Sequence, residues 1–97
     1  ETEERNIIRV ETVSLDEIVQ KNNIERIDFL KMDCEGAEYG ILFNSSPKTI
    51  GMIQKISMEY HDMDNERNVN RLKTFLEQNE FTVTIAPHGD SMLYAIR

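Results

Sequence analysis

The sequence is poor in cysteine and glycine, and it has no long hydrophobic run. Its single cysteine, Cys34, cannot form a disulfide within the chain. No apolar stretch is long enough to cross a bilayer or to act as a signal peptide. These absences favour a reducing, cytoplasmic setting and argue against a membrane partner.

Basic residues are also scarce. The chain has 11 Lys and Arg against 18 Asp and Glu, which gives a formal net charge of −7. Proteins that bind nucleic acids use clustered Lys and Arg to neutralise phosphates, and the basic residues here are scattered. We therefore expect no nucleic-acid partner.

The glycines are few and widely spaced. They stand at Gly36, Gly40, Gly51 and Gly89, so the chain contains no G-x-G sequence. A glycine-rich turn is what lets the backbone approach a bound nucleotide closely. The chain therefore lacks that turn.

Length and composition predict one compact domain. The chain has 97 residues, of which 39% are hydrophobic, enough for a single core and too apolar for a disordered tail. We expect one domain over residues 1–97, with the polar residues 1–6 as a frayed terminus.

The hydrophobic pattern predicts strands that alternate with helices. Ser14 and Glu17 have the spacing of a capping box, which opens a helix that ends at Asn22 and Asn23. The apolar run 27–32 is typical of a strand buried on both faces of a parallel sheet. The cluster 44–47 is interpreted as the end of a short helix that begins near Gly36. The other predicted elements are strands at 7–13, 53–60, 81–85 and 92–96 and a helix at 66–78.

The order of these elements predicts an α/β fold, in which parallel strands with flanking helices are closed by an antiparallel hairpin around the turn at 87–90. Polar side chains collect where two of the parallel strands end. Asp33 and Glu35 follow the first of them, and the second ends in Glu59, Tyr60 and His61. Ligands of open α/β sheets bind outside the carboxyl ends of the strands. If the two strands are neighbours, acid and base side chains will share one pocket.

At these residues the chain resembles the FkbM-type methyltransferases. The family pattern is a Thr- or Ser-led Leu-Asp-Glu helix start followed by a Lys-hydrophobic-Asp-x-Glu-Gly-Ala-Glu strand end. The sequence matches it at 14–17 and 31–38, and the Glu59-x-His61 strand end, the next helix and the closing hairpin agree in order and spacing. The resemblance spans residues 10–97.

The resemblance implies a Rossmann-like class I fold that transfers a methyl group from S-adenosylmethionine, commonly to a hydroxyl of a sugar or natural product. It implies that Asp33 lies beside the methionine part of the cofactor, with Met32 and Cys34 as cofactor-binding neighbours. Asp33, Glu35 and His61 are then the expected catalytic residues, and Glu38 and Glu59 the expected substrate-binding carboxylates. Because the glycine-rich loop of class I enzymes is missing, we expect the C-terminal half of such a domain, inactive as an isolated chain.

Simpler interpretations exist for each of these residues. Asp33 can cap the following helix, and Glu35 and Glu38 can complement its positive N-terminus. His61 can be a hydrogen-bonded strand-end histidine, and Cys34 a small core residue. The acidic residues Asp62, Asp64 and Glu66 can bind a divalent cation with Asp33 and Glu59, or form a solvated loop that caps the next helix. We favour the loop and expect no metal.

Two further function classes fit an α/β chain of this size. A signalling receiver domain also places an Asp at a strand end, but its acidic pair and later strand-end Lys have no clear counterpart here. The stronger alternative is a non-catalytic interaction module derived from a methyltransferase. An open sheet edge would expose unpaired backbone groups and favour a homodimer.

Overall fold

Strands and helices alternate along the chain. The computed structural model describes residues 7–10, 14–32, 37–86 and 91–97. The predicted frayed terminus 1–6 and the predicted turn 87–90 lie outside these residues. The described elements are β1 (Ile7–Val10), α1 (Leu15–Lys21), β2 (Phe29–Met32), α2 (Glu38–Phe43), α3 (Pro47–Met52), β3 (Lys55–Glu59), α4 (Val69–Gln78), β4 (Thr82–Ile85) and β5 (Met92–Ile96).

The strands form one sheet in the order β1-β2-β3-β5-β4. β1, β2 and β3 are parallel, whereas β5 runs antiparallel to both β3 and β4. In the register of β2 and β3, Leu30 pairs with Ile56 and Met32 pairs with Met58. The α/β class, the neighbouring parallel strands and the antiparallel hairpin are thus confirmed.

The hydrophobic core lies on one face of this sheet. Leu30, Met32, Ile56 and Met58 point into it and are at most 2% exposed. The buried apolar side chains of the helices belong to the same cluster, namely Leu15, Val19, Tyr39, Leu42, Ile50, Leu72 and Leu76. In the described part of the chain, the helices therefore cover one face of the sheet.

The prediction that the strand at 27–32 is buried on both faces was wrong for the described residues. Lys31 is exposed and Phe29 is half-buried, because their side chains alternate with Leu30 and Met32 onto the face that no described helix covers. On the same face Tyr94 is 46% exposed and Ile96 is 47% exposed. We call this surface the open face; its strand residues are Phe29, Lys31, Lys55, Ser57, Glu59, Thr82, Thr84, Met92, Tyr94 and Ile96.

Helix α3 is absent from the sequence prediction. The cluster 44–47 does end α2 at Asn44, but it also begins the next helix. The Ser46 side chain accepts a hydrogen bond from the Thr49 N–H, and Pro47 occupies the first helical position, where its missing N–H costs nothing. Ser-Pro is therefore a helix start here.

Helix α4 begins at Val69, three residues later than predicted. Asp64 accepts hydrogen bonds from the N–H groups of Glu66 and Arg67 and holds them in a turn. The Asn68 side chain then caps the helix by accepting from the Arg71 N–H. A side-chain hydrogen bond to the backbone thus displaces the first predicted turn of the helix.

The remaining boundaries are close to their predicted positions. The extended segment 7–13 is a strand at Ile7–Val10, and residues 11–13 lie outside the described ranges. Ser14 caps α1 by accepting from the Glu17 N–H at 3.4 Å, and Asn22 ends the helix, as predicted. Ile27 and Ile53, predicted as strand residues, form an isolated parallel bridge ahead of β2 and β3.

None of the helices in the described ranges has the length and apolarity needed to pass through a lipid bilayer.

Candidate active site at the carboxyl ends of the parallel strands

The carboxyl ends of β2 and β3 lie at the same edge of the sheet, since the two strands are parallel neighbours. Asp33, Cys34 and Glu35 follow β2 in sequence but lie outside the described residues. Their catalytic and cofactor-binding roles stay predictions.

Met32, the last residue of β2, is described. Its side chain is 1% exposed and belongs to the hydrophobic core. Any contact between Met32 and a cofactor would therefore involve its backbone. That role also stays a prediction.

Glu38 lies at the start of α2 and is completely buried, with 0% exposure. Its Oε2 accepts a hydrogen bond from the backbone N–H of His61 at 2.8 Å and lies 3.1 Å from His61 Nδ1. Two polar groups of one residue thus converge on one carboxylate oxygen. This contact joins the start of α2 to the segment that follows β3.

Tyr39 makes a second connection to the same residue. Its ring is buried at 1% exposure, and its hydroxyl donates a hydrogen bond to the His61 carbonyl oxygen. Burial, together with the nearby charge of Glu38, raises the pKa of Tyr39 to about 12. The hydroxyl therefore keeps its proton, and its capacity to donate, at neutral pH.

His61 is held at its N–H, its carbonyl and its ring, yet its side chain keeps one third of its surface, 33%, exposed. In the contact of Nδ1 with Glu38, an ionised carboxylate would only accept a hydrogen bond, which would put the ring proton on Nδ1. The other ring nitrogen, Nε2, then has a free lone pair. A neutral imidazole in this state can act as a general base.

Glu59 is not part of this contact. It is an exposed residue at the end of β3, opposite Met92 of β5, on the open face of the sheet. The described residues give it no hydrogen bond to Glu38 or His61. Its substrate-binding role stays a prediction.

The carboxylates of the acidic loop after His61 accept hydrogen bonds from backbone N–H groups of the same segment. Asp62 accepts from the Val69 N–H at the start of α4, and Asp64 binds Arg67 through Nε and one terminal nitrogen. The Arg67 side chain, with the backbone N–H groups, lowers the pKa of Asp64 to about 2. Within the ranges that the structure covers, no group of three or more His, Cys, Asp or Glu side chains could hold a metal ion. Asp62 thus adds a hydrogen bond at the start of α4 beside the Asn68 cap. The choice between a solvated loop and a cation site that includes Asp33 stays a prediction, since Asp33 lies outside the described residues.

Asp16 is a connecting residue that sequence reasoning did not single out. Its carboxylate accepts from the Ser46 N–H at 3.1 Å and from the Ser46 hydroxyl at 3.2 Å, which fastens α1 to the start of α3. Hydrogen bonds from the Thr49 side chain and from Ser46 lower the pKa of Asp16. Two features of the sequence could have indicated this contact. Asp16 is an acidic residue in the first turn of α1, and Ser46 stands just before Pro47 as a possible helix cap.

The sequence profile of the methyltransferase FkbM domain matches residues 1–86. The chain belongs to the FkbM methyltransferase family. Over 74 residues this FkbM domain is 30% identical to the AMB antimetabolite synthetase AmbE of Pseudomonas aeruginosa. The match covers 73% of this chain and 4% of AmbE, so the chain spans a small part of that relative's length. No solved structure matches the chain.

The structure gives physical roles to two parts of the FkbM pattern. In the Ser-Leu-Asp-Glu helix start, Leu15 enters the core and Asp16 anchors α3. At the strand end, the final Glu38 binds His61 of the Glu-x-His sequence. The strand-end motif and the Glu-x-His sequence of this FkbM domain are therefore in direct contact.

Proposed function

We propose that this FkbM domain contributes to methyl transfer from S-adenosylmethionine to a hydroxyl oxygen of a small molecule such as a sugar or natural product. Membership of the family supports the reaction class. The observation that carries the proposal is the contact of Glu38 with His61 at the carboxyl ends of the parallel strands, where ligands of α/β sheets bind. The sheet, with parallel strands and an inserted antiparallel β5, supports a Rossmann-like arrangement.

The chemistry at this edge suits an oxygen acceptor. A hydroxyl is a weak nucleophile until a base accepts its proton, and Nε2 of His61 is the group that would do so. The partly exposed ring can reach a bound acceptor while Glu38 holds its other nitrogen. S-adenosylmethionine would supply the electrophilic methyl group.

The described residues fit the acceptor side of this reaction better than the cofactor side. His61 and Glu38 provide a positioned base. Asp33 and Glu35, which lie outside the described residues, suit a cationic sulfonium or ammonium group by charge alone. The sequence has no G-x-G turn to hold the adenosyl part. We therefore place the complete cofactor site in a larger protein, of which this chain supplies the C-terminal half.

Calorimetry and NMR test this proposal on the chain itself. A ligand held by a few groups at an open edge should have a Kd of about 1 mM or weaker, equivalent to about −4 kcal/mol. Titration of S-adenosylmethionine should shift the amide signals of Tyr39 and His61 and leave those near Arg97 unchanged. Adenosine, which lacks the methionine part, should shift them less.

Three results would contradict the proposal. Micromolar binding would show that the chain holds a complete cofactor site, which contradicts the part of the proposal that puts this site in a larger protein. Equal shifts with adenosine, or shifts confined to residues away from the strand ends, would show that this edge does not recognise the methionine part.

A further inference from the structure

One carboxylate oxygen determines how the His61 ring sits. Oε2 of Glu38 binds both the backbone N–H and the ring Nδ1 of His61, at 2.8 and 3.1 Å. Because the N–H contact fixes the oxygen relative to the His61 backbone, the ring contact also restricts the side-chain torsions. A single accepting atom thus sets both the position and the rotation of the imidazole.

The environment makes this arrangement stiff. Glu38 is fully buried, so water does not compete for its oxygens. The Tyr39 hydroxyl holds the His61 carbonyl from the adjacent position of the same helical turn. Consecutive residues of α2 therefore hold the backbone of His61 on both sides of its Cα atom.

From this geometry we infer that Glu38 is a positioning residue that keeps the His61 ring in the tautomer protonated on Nδ1, so that Nε2 is the nitrogen available as base. The catalytic meaning of this inference rests on the proposed function. An unconstrained histidine side chain prefers its proton on Nε2, and the hydrogen bond made by one nitrogen decides the state of the other. Glu38 reverses that preference because a carboxylate accepts and cannot donate.

Substitution of Glu38 by glutamine should release the ring. The amide of Glu38→Gln can accept through its oxygen or donate through its NH₂ group, so it satisfies either tautomer. Glu38→Asp keeps an accepting carboxylate on a shorter side chain. Tyr39→Phe removes the hydrogen bond to the carbonyl and leaves the ring contact intact.

Long-range ¹H–¹⁵N correlation spectra of the imidazole rings measure the tautomer directly, at a pH where the rings are neutral. The chain has two histidines, and His88→Gln identifies the signals of His61. We expect wild type and Tyr39→Phe to show the Nδ1-protonated form. Glu38→Gln should show a mixture shifted towards the Nε2-protonated form, and Glu38→Asp should restore the Nδ1-protonated signal in part.

The wild-type spectrum alone can overturn the inference, whatever the folding of the variants. An Nε2-protonated His61 in the wild type would exclude the positioning role. An unchanged tautomer in a folded Glu38→Gln variant would exclude it as well. None of these spectra depends on methyl transfer, so the positioning role can hold even if the cofactor titration fails. Conversely, the cofactor titration can succeed even if the spectra exclude the positioning role.

Discussion

Tyr39 shows how one buried hydroxyl can connect a helix to a functional segment. Its ring packs in the core, near Phe43 at a centroid distance of 6.0 Å, and its oxygen reaches the His61 carbonyl. The hydroxyl must stay protonated to donate this hydrogen bond. Burial and the Glu38 charge favour the protonated form, which links the stability of the fold to alkaline pH.

Tyr39→Phe should lower the free energy of unfolding by about 0.5–1.5 kcal/mol, the usual net value of a lost hydrogen bond. The pKa of Tyr39 rises on folding from 10.0 to about 12. The stability that the protonated Tyr39 hydroxyl contributes to the fold is therefore complete below pH 10.0 and is lost as pH rises towards about 12. Urea unfolding curves measured across this range should show the loss for wild type and a flatter dependence for Tyr39→Phe.

Tyr94→Phe is the matched control, because Tyr94 is 46% exposed and lies on the other face of the sheet. It should change the free energy of unfolding by less than about 0.5 kcal/mol. Equal losses in the two variants would contradict the role of the Tyr39 hydroxyl.

At the scale of elements, polar side chains from one segment complete the ends of another. Asp16 of α1 accepts hydrogen bonds from the N–H and the hydroxyl of Ser46, the N-cap residue of α3. Arg97, just after β5, donates to the carbonyls of Ile53 and Asn79, the C-cap residues of α3 and α4. A short helix such as α3, with six residues, is marginal by itself. Hydrogen bonds from distant side chains therefore stabilise helix α3, which its own helix propensity would not hold in place.

Asp16→Ala should destabilise the fold by about 1 kcal/mol, the usual net value of a lost hydrogen bond. The pKa of Asp16 is lowered from 3.8 by Thr49 and Ser46, so its contribution is present above that pH and is lost as pH falls through the lowered value. Urea unfolding at neutral and acid pH should show that the difference between wild type and variant shrinks in acid. Glu17→Gln removes the neighbouring first-turn charge without touching α3, and a similar acid dependence in that control would contradict the assignment.

Arg97→Ala should cost about 1–3 kcal/mol, since hydrogen bonds from a charged group are among the stronger ones. The guanidinium donates to the carbonyls of Ile50, Ile53 and Asn79, and its central carbon lies 4.2 Å from the centre of the Phe81 ring. Arg97→Lys keeps the charge but not the planar fork, so it should recover less than half of the loss.

Thermal and urea unfolding would measure these changes. Lys73→Ala, which removes an exposed ion pair at 3.9 Å, serves as control and should have little effect. Full recovery of the stability in Arg97→Lys would contradict a role for the planar guanidinium, because it would show that a positive charge alone stabilises the fold.

At the scale of the whole molecule, the uneven covering of the sheet is the dominant feature. The described helices lie on one face, while the open face carries an open depression of about 290 Å³. Apolar side chains on this face remain in contact with water, which is unfavourable. A second copy of the chain is a suitable cover, because Lys55 and Glu59 lie at opposite ends of β3 on that face. A two-fold axis across β3 would set each lysine opposite a glutamate.

We expect concentration-dependent self-association through the open face, measured by sedimentation or light scattering. Tyr94→Glu should weaken it by introducing charge at the centre of the apolar surface. Met63→Glu changes a residue that is 50% exposed but lies in the loop after β3, and it should leave association unchanged. A strictly monomeric wild type at high concentration would contradict this expectation.

Local patterns in the sequence were sufficient for most of the fold. Alternation in β3 and the helical spacing of Leu72 and Leu76 place their elements, because burial follows the period of each structure. Helix α3 was missed since Ser46-Pro47 serves equally as a turn and as a helix start. The one-sided covering of β2 was also missed, because Phe29 makes the strand seem apolar on both faces.

The site could be predicted only in outline. Polar strand ends predicted that β2 and β3 share an edge, which their parallel pairing confirms. The contact between Glu38 and His61 joins residues 23 positions apart, and the Asp16 contact joins residues 30 apart. Such contacts leave no periodic trace in the sequence. Glu38 and His61 could therefore be named but not paired with each other, and Asp16 was not singled out.

The insertion of β5 between β3 and β4 has a consequence for biosynthesis. A ribosome releases β4 before β5, yet β4 has its hydrogen-bonded neighbour in β5 and makes no pair with β3 within the described sheet. Until Met92–Ile96 leaves the exit tunnel, β3 lacks its partner on one edge and β4 has no partner within the described sheet. Premature termination just before β5 would therefore yield a product prone to aggregate rather than a slightly shortened domain.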